Sequence, residues 1–138
     1  MPNETNRERN LSTVCVCLIV DDIVKCAEYY RDILGFSFQR IWGEPPCFVM
    51  LHRDGVEFFF SSDGRKGLAR PNHVANPDFT WDAYVRCRDV AALLQEFRSK
   101  GAEIAREPQV MPYEMKEFEV KDCNGYILCF AQDVSAES

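Results

Sequence analysis

Histidine is scarce in this chain. Only two occur in 138 residues, His52 just before an Arg-Asp-Gly turn and His73 in a loop-like stretch. An imidazole-rich metal centre therefore has little to draw on. Basic runs are missing too. Sixteen Lys and Arg against twenty-two Asp and Glu leave a net charge of −6. No cluster is arranged to track phosphates, so nucleic acid is not an expected partner. That balance tolerates a cationic small molecule better than an anionic one. No apolar run approaches the ~20 residues of a membrane-spanning helix. The opening MPNETNRERNLST lacks the apolar stretch of a signal peptide. Seven cysteines follow neither disulfide nor zinc-finger spacing. Reduced thiols, a cytoplasmic location and no membrane partner are expected.

What is present suits one domain: enough residues for a real core and too few for two independent ones. Within it the chain says the same thing twice. From Thr13, Val14, Val16, Leu18 and Val20 alternate with Cys15, Cys17 and Ile19, which is strand spacing. Asp21 or Asp22 offers an N-cap to a helix whose buried stripe is Ile23, Ala27, Tyr30 and Leu34. Gly35 closes it. Phe36 to Trp42, Cys47 to Leu51 and VEFFFSS read as three further strands. From Thr80, Trp81, Ala83, Val85 and Cys87 alternate with Asp82, Tyr84 and Arg86. Asp89 then caps a helix with Val90, Leu93, Leu94 and Phe97 inward, and Gly101 ends it. A shift of 67 residues lays Asp22 on Asp89 and Tyr30 on Phe97. A shift of 70 lays DGVEFFFS on NGYILCFA. The expected architecture is α+β: a first strand-helix-three-strand unit at 13–62, a loop at 63–79, and a second unit at 80–133. Residues 1–12 and 134–138 are expected as polar tails.

A doubled βαβββ unit, with YYRDILGF closing the first helix and Asp122-x-x-Gly125-Tyr126 before the last strand, resembles the vicinal oxygen chelate superfamily of glyoxalases, bleomycin-resistance proteins and extradiol dioxygenases. The resemblance covers about residues 13 to 132. It implies curled mixed sheets with helices on the convex face. It also implies a ligand site on the concave side, completed by a second subunit in a homodimer. The more apolar alternate residues should lie under the helices. Cys15, Cys17, Asp82, Tyr84 and Arg86 should then face the concave side.

Metal-dependent members of that superfamily carry His, Glu or Gln at four strand positions. The resemblance places the first at Cys15, the third at Asp82 and the fourth at Cys129. The second falls at Phe59 by the internal repeat or at Glu57 by motif similarity. No histidine occupies any of them. Two thiolates and carboxylates are a poor set for iron, nickel or manganese, though thiolates suit zinc. Free cysteine is also a common small buried hydrophobe.

Two functional readings follow. One is a small-molecule-binding protein without the usual metal and without a cofactor. It would take a planar or cationic compound in a cavity lined by Cys15, Cys17, Trp42, Phe59, Asp82, Tyr84, Arg86, Tyr113, Ile127 and Cys129, with aromatic rings available for stacking. The alternative is a lyase or dioxygenase-like enzyme holding a divalent metal with Cys15, Glu57, Asp82 and Cys129.

Overall fold

A computed structural model describes residues 8–78 and 81–137. Two four-stranded sheets carry the fold. The first unit runs β1 (Val16–Ile19), α1 (Ile23–Asp32), β2 (Ile41–Trp42), β3 (Phe48–Arg53) and β4 (Val56–Ser61). A connector holds the four-residue α2 (Asn72–Ala75). The second unit runs β5 (Ala83–Arg86), α3 (Val90–Ser99), β6 (Glu103–Val110), β7 (Met115–Lys121) and β8 (Ile127–Asp133). The strand orders are β1-β4-β3-β2 and β5-β8-β7-β6, the same pattern twice. In each sheet the first strand runs parallel to the last and the others pair antiparallel.

The repeat is physical down to the register. Val16 pairs with Phe58 and Cys17 with Phe59; Ala83 pairs with Leu128 and Tyr84 with Cys129. These pairs are related by the 67- and 70-residue shifts of the sequence. The helix starts match as well. Asp22 accepts from the Lys25 N–H and Asp89 from the Ala92 N–H, each at 3.0 Å, closing one of the open donors at each N-terminus. Ile23, Ala27, Tyr30 and Leu34 are buried as the stripe requires. On α3, Val90 and Phe97 are buried, and Leu93 and Leu94 pack at the margin.

The core lies between the helices and the sheets. Tyr30 stacks among Phe36, Phe58 and Phe60, with ring centroids 4.9–5.8 Å apart. Phe97, Phe118 and Phe130 form the matching cluster in the second unit. Fully burying such a ring contributes about 2–3 kcal/mol. The two units are joined through the very residues that carry the family resemblance. Tyr30 OH donates to Asp122 Oδ2 at 2.6 Å, and both groups are buried. Asp122 also accepts from the Asn124 and Tyr126 N–H groups, and Tyr126 OH donates to the Ile19 carbonyl. On the other side of the joint, Arg53 forks onto Glu96 with two 2.8 Å bonds.

Several expectations need correcting. Val14 lies outside β1 and is exposed, because the strand begins only at Val16. The strand expected from Phe36 shrinks to Ile41–Trp42, preceded by one bridge from Ser37 to His52. The loop expected at 63–79 is held within its described residues, 63–78. Asp21, not Asp22, accepts from the N–H groups of Gly67, Leu68 and Ala69 at 2.6–3.1 Å. The segment set apart as a C-terminal tail begins with the Val134 N–H on the Glu114 carbonyl and a 3-10 turn at Ser135–Glu137. Of the N-terminal tail expected over 1–12, residues 1–7 lie outside the described residues.

Candidate functional site

Each sheet has one face under its helix and one concave face turned away from it. Alternation decides which residue goes where. In the first unit the concave face presents Cys15, Cys17 and Ile19, then Glu57 and Phe59 on β4, and Phe48, Met50 and His52 on β3. This wall is open. Ile19 is 53% exposed, and Trp42 and Met50 are 40% exposed. Trp42 sits under the Arg40 guanidinium, 3.7 Å from the ring centroid, a cation–π contact. Together Gln39, Arg40, Trp42, Met50, His52 and Glu57 outline a shallow pocket of about 230 Å³. The Cys15 and Cys17 sulfurs are 3.7 Å apart. Desolvation, Cys17 and then Glu57 push the Cys15 thiol up.

The concave face of the second unit is built differently. Glu117 and Glu119 lie on β7, beside Cys129 on β8, and both carboxylates are buried. Glu117 Oε2 accepts from Tyr84 OH at 2.7 Å and from Tyr113 OH at 2.6 Å. Arg106 Nη2 lies 3.3 Å from Glu117 Oε1. Glu119 Oε2 accepts from Trp81 Nε1 and Arg106 Nε, each at 3.0 Å. Trp81 and Tyr84 lean together with ring centroids 4.7 Å apart. Burial alone would raise the Glu117 carboxyl, but the donors from Tyr113, Tyr84 and Arg106 outweigh it and hold it below its ordinary value. The Glu117 hydrogen bond, with burial, pushes Tyr113 up to about 12. Burial, then Glu117 and Glu119, raise the Cys129 thiol.

Cys129 is fully buried under this network and Ile127 is also buried, so neither lines an open cavity in this chain. Long side chains from β6 and β7 lie over that part of the sheet. Asp82 does not offer free oxygens to the concave side. Its Oδ1 accepts from the Asn72 N–H at 2.7 Å and its Oδ2 from the Ile127 N–H at 2.8 Å, tying the connector to β8. Arg86 stands exposed at the end of β5 and lines a different cleft, between the units. Tyr84 and Tyr113 do reach the concave face.

The four superfamily metal positions do not make a metal site within this chain. The repeat register puts Phe59, without a donor atom, opposite Cys17, just as Cys129 stands opposite Tyr84. Asp82 is already engaged and Cys129 is covered. Among the described residues, no three of His, Cys, Asp and Glu stand together to hold a metal ion. The residues present do not fit the superfamily's metal.

Sequence reasoning missed Arg106, Glu117, Glu119 and Trp81. A signal was available. In KEFEV, Glu117 and Glu119 alternate with the core residues Phe118 and Val120 and so share the concave face with Cys129.

A model of the Glyoxalase/Bleomycin resistance protein/Dioxygenase superfamily matches residues 12–130. The chain belongs to this superfamily. Solved structures show the same fold. The bleomycin resistance determinant encoded on the transposon Tn5 aligns with TM-score 0.69 at 19% identity, over 89% of this chain and 98% of that one. The bleomycin-binding protein of Streptomyces verticillus, complexed with copper(II)-bleomycin, aligns with TM-score 0.68 at 19% identity, over 91% and 98%. TioX from Micromonospora sp. ML1 aligns with TM-score 0.69 at 18% identity, over 88% and 98%. No curated protein matches the chain significantly. Among the described residues of this superfamily member, no helix is long and apolar enough to cross a membrane.

Proposed function

We propose that the protein binds and sequesters a small planar compound, cationic in character, between concave faces brought together in a cytoplasmic homodimer. The observation that carries this is the wall around Glu117. Three aromatic rings, Trp81, Tyr84 and Tyr113, are each anchored by a hydrogen bond to a buried carboxylate, with Tyr113 half exposed above. Rings fixed in this way lose little freedom on stacking against a flat ligand. Two carboxylates against one guanidinium leave the wall one net negative charge, which favours a cation.

The same groups are ill suited to catalysis. Glu117 has three donors and a lowered proton affinity, which makes it a weak base. The Cys129 thiol is raised and buried, which makes it a weak nucleophile. Homodimer formation rests on the apolar groups left open on the first wall, Ile19, Trp42 and Met50. The cytoplasmic assignment rests on seven free cysteines. Solved proteins of this fold described as bleomycin-binding and antibiotic-binding support the reading.

Both tryptophans of the chain, Trp42 and Trp81, sit on the concave faces, so intrinsic fluorescence reports on this site. Titration with planar aromatic cations should quench it saturably, planar anions should bind more weakly, and Tyr84→Ala should weaken the cations. Sedimentation should give a dimer at micromolar concentration. A monomer whose fluorescence no planar cation perturbs would overturn the proposal.

A further inference from the structure

One sizeable cleft lies on neither concave face. It measures about 690 Å³ and opens where the turn between β3 and β4 meets the end of β5 and the start of α3. That size lies within the range of small-molecule pockets, roughly 300–1,000 Å³. Its floor is apolar and made of core-facing side chains: Phe36, Val56, Val85, Leu93, Phe97 and Phe130. Its rim carries Arg53, Arg86 and Arg88 against one lining carboxylate, Asp54.

Arg53 is already engaged by Glu96 and the Leu34 carbonyl. Arg86 and Arg88 are not. Among the described residues, neither guanidinium is in contact with a carboxylate, and Arg86 meets Asp133 only at longer range. In a chain of net charge −6, Arg86 and Arg88 are two exposed arginines, one residue apart, that line the cleft beside its apolar floor.

We propose that this cleft binds a small amphipathic carboxylate, a medium-length acyl chain whose head is held by Arg86 and Arg88 and whose tail lies on the apolar floor. A guanidinium matches a carboxylate with two parallel N–H bonds, so a pair of them near one mouth selects that head group. A bare anion would leave the floor in water. A neutral hydrocarbon would leave the arginines without a counter-charge. The occupant that meets both conditions carries one anionic end and one apolar end.

The test is a titration of the full chain, followed by backbone amide NMR, with decanoate, decanol, decyltrimethylammonium and acetate. Decanoate should shift the amides of Gly55, Val56, Cys87 and Leu93 saturably. Decanol and the ammonium compound should bind at least about tenfold more weakly, the scale of one lost charge-assisted contact. The double variant Arg86→Gln/Arg88→Gln should weaken decanoate by a similar factor with an unchanged spectrum elsewhere. Acetate should produce no saturable shift. The proposal is overturned if decanol binds as tightly as decanoate, if the double variant binds normally, or if the shifts fall on β7 and β8 concave residues. It is also overturned if a planar cation saturating the concave face displaces decanoate. This site stands whether or not the concave faces bind a planar cation.

Discussion

Glu117→Gln tests the reasoning about the second wall most directly. The side chain keeps its size, so no cavity opens, but the charge and one acceptor are lost. Glu117 is fully buried and accepts from two phenols and one guanidinium. If the new amide turns its oxygen to Tyr84 and Tyr113, its NH2 faces Arg106, a donor against a donor. If it turns the other way, both phenols must reorient as acceptors. Breaking one partner out of a buried pair costs about 3–5 kcal/mol, reduced here to about 2–4 kcal/mol because Arg106 keeps Glu119. For a chain of this size that lowers Tm by on the order of 10 °C. Urea unfolding at neutral pH measures the loss.

Two further readouts separate the hydrogen-bond network from general damage. Phenolate absorbance should show the Tyr113 transition falling from about 12 toward its ordinary value of about 10. The pH dependence follows from the lowered Glu117 carboxyl. Its contribution is fully present above the unfolded value of about 4.3 and is lost as pH falls through the folded value. The gap between wild type and variant should therefore narrow below about pH 4. A variant within about 1 kcal/mol of wild type, with an unmoved tyrosine transition, would refute the account of a wall held by buried charge.

Tyr30→Phe removes the hydroxyl that joins α1 to Asp122 and should cost about 1–3 kcal/mol. Burial holds the Asp122 carboxyl above its ordinary value, so its ionised form is a liability that grows as pH rises through the folded value. The loss should thus be larger at pH 7 than near pH 4, and equal losses at both would count against this assignment. Asp21→Ala should release the segment held by the Gly67, Leu68 and Ala69 amides. Trypsin should then cut faster after Arg65 or Lys66, and unchanged digestion would show that the connector is held by other contacts.

The frame of the fold was legible because it repeats. Asp22 and Asp89, the two inward stripes and the 67- and 70-residue shifts rest on local rules: capping, helical spacing and strand alternation. Each rule holds within a few residues, and two copies check each other. Edges were less legible. Val14 has the right chemistry for β1, but no partner strand extends to it, and pairing decides where a strand begins. The concave site was legible only in part. Tyr84 and Tyr113 could be assigned to it, but the distances to Glu117 depend on strands β5, β6 and β7 meeting, which no local pattern reports. Asp82 misled for a similar reason. A carboxylate on a cavity-facing position looks available until the Asn72 and Ile127 amides, 10 and 45 residues away, close on it.

The register also shows how the two walls came to differ on one frame. Met50 stands opposite Phe59 in the first sheet, and Glu119 stands opposite Cys129 in the second. Phe48 pairs with Ser61, and Glu117 with Ala131. Phe59 and Ser61 fall on Cys129 and Ala131 under the 70-residue shift, so through their pairing partners Phe48 corresponds to Glu117 and Met50 to Glu119. One wall puts an aromatic ring and a thioether where the other puts two carboxylates. Carboxylates at those positions on a sheet face need partners, and the second unit supplies Arg106, Tyr84, Tyr113 and Trp81, which bury them and Cys129 together. The first unit carries no carboxylate at those two positions, so Phe59 and Met50 stay available, beside a Trp42 ring that has the Arg40 guanidinium over it. Facing walls of this kind would present apolar contact on one side of a flat ligand and ring faces backed by negative charge on the other. That asymmetry favours a planar cation over a neutral or anionic plane, and it follows from two substitutions on one strand rather than from any change of fold.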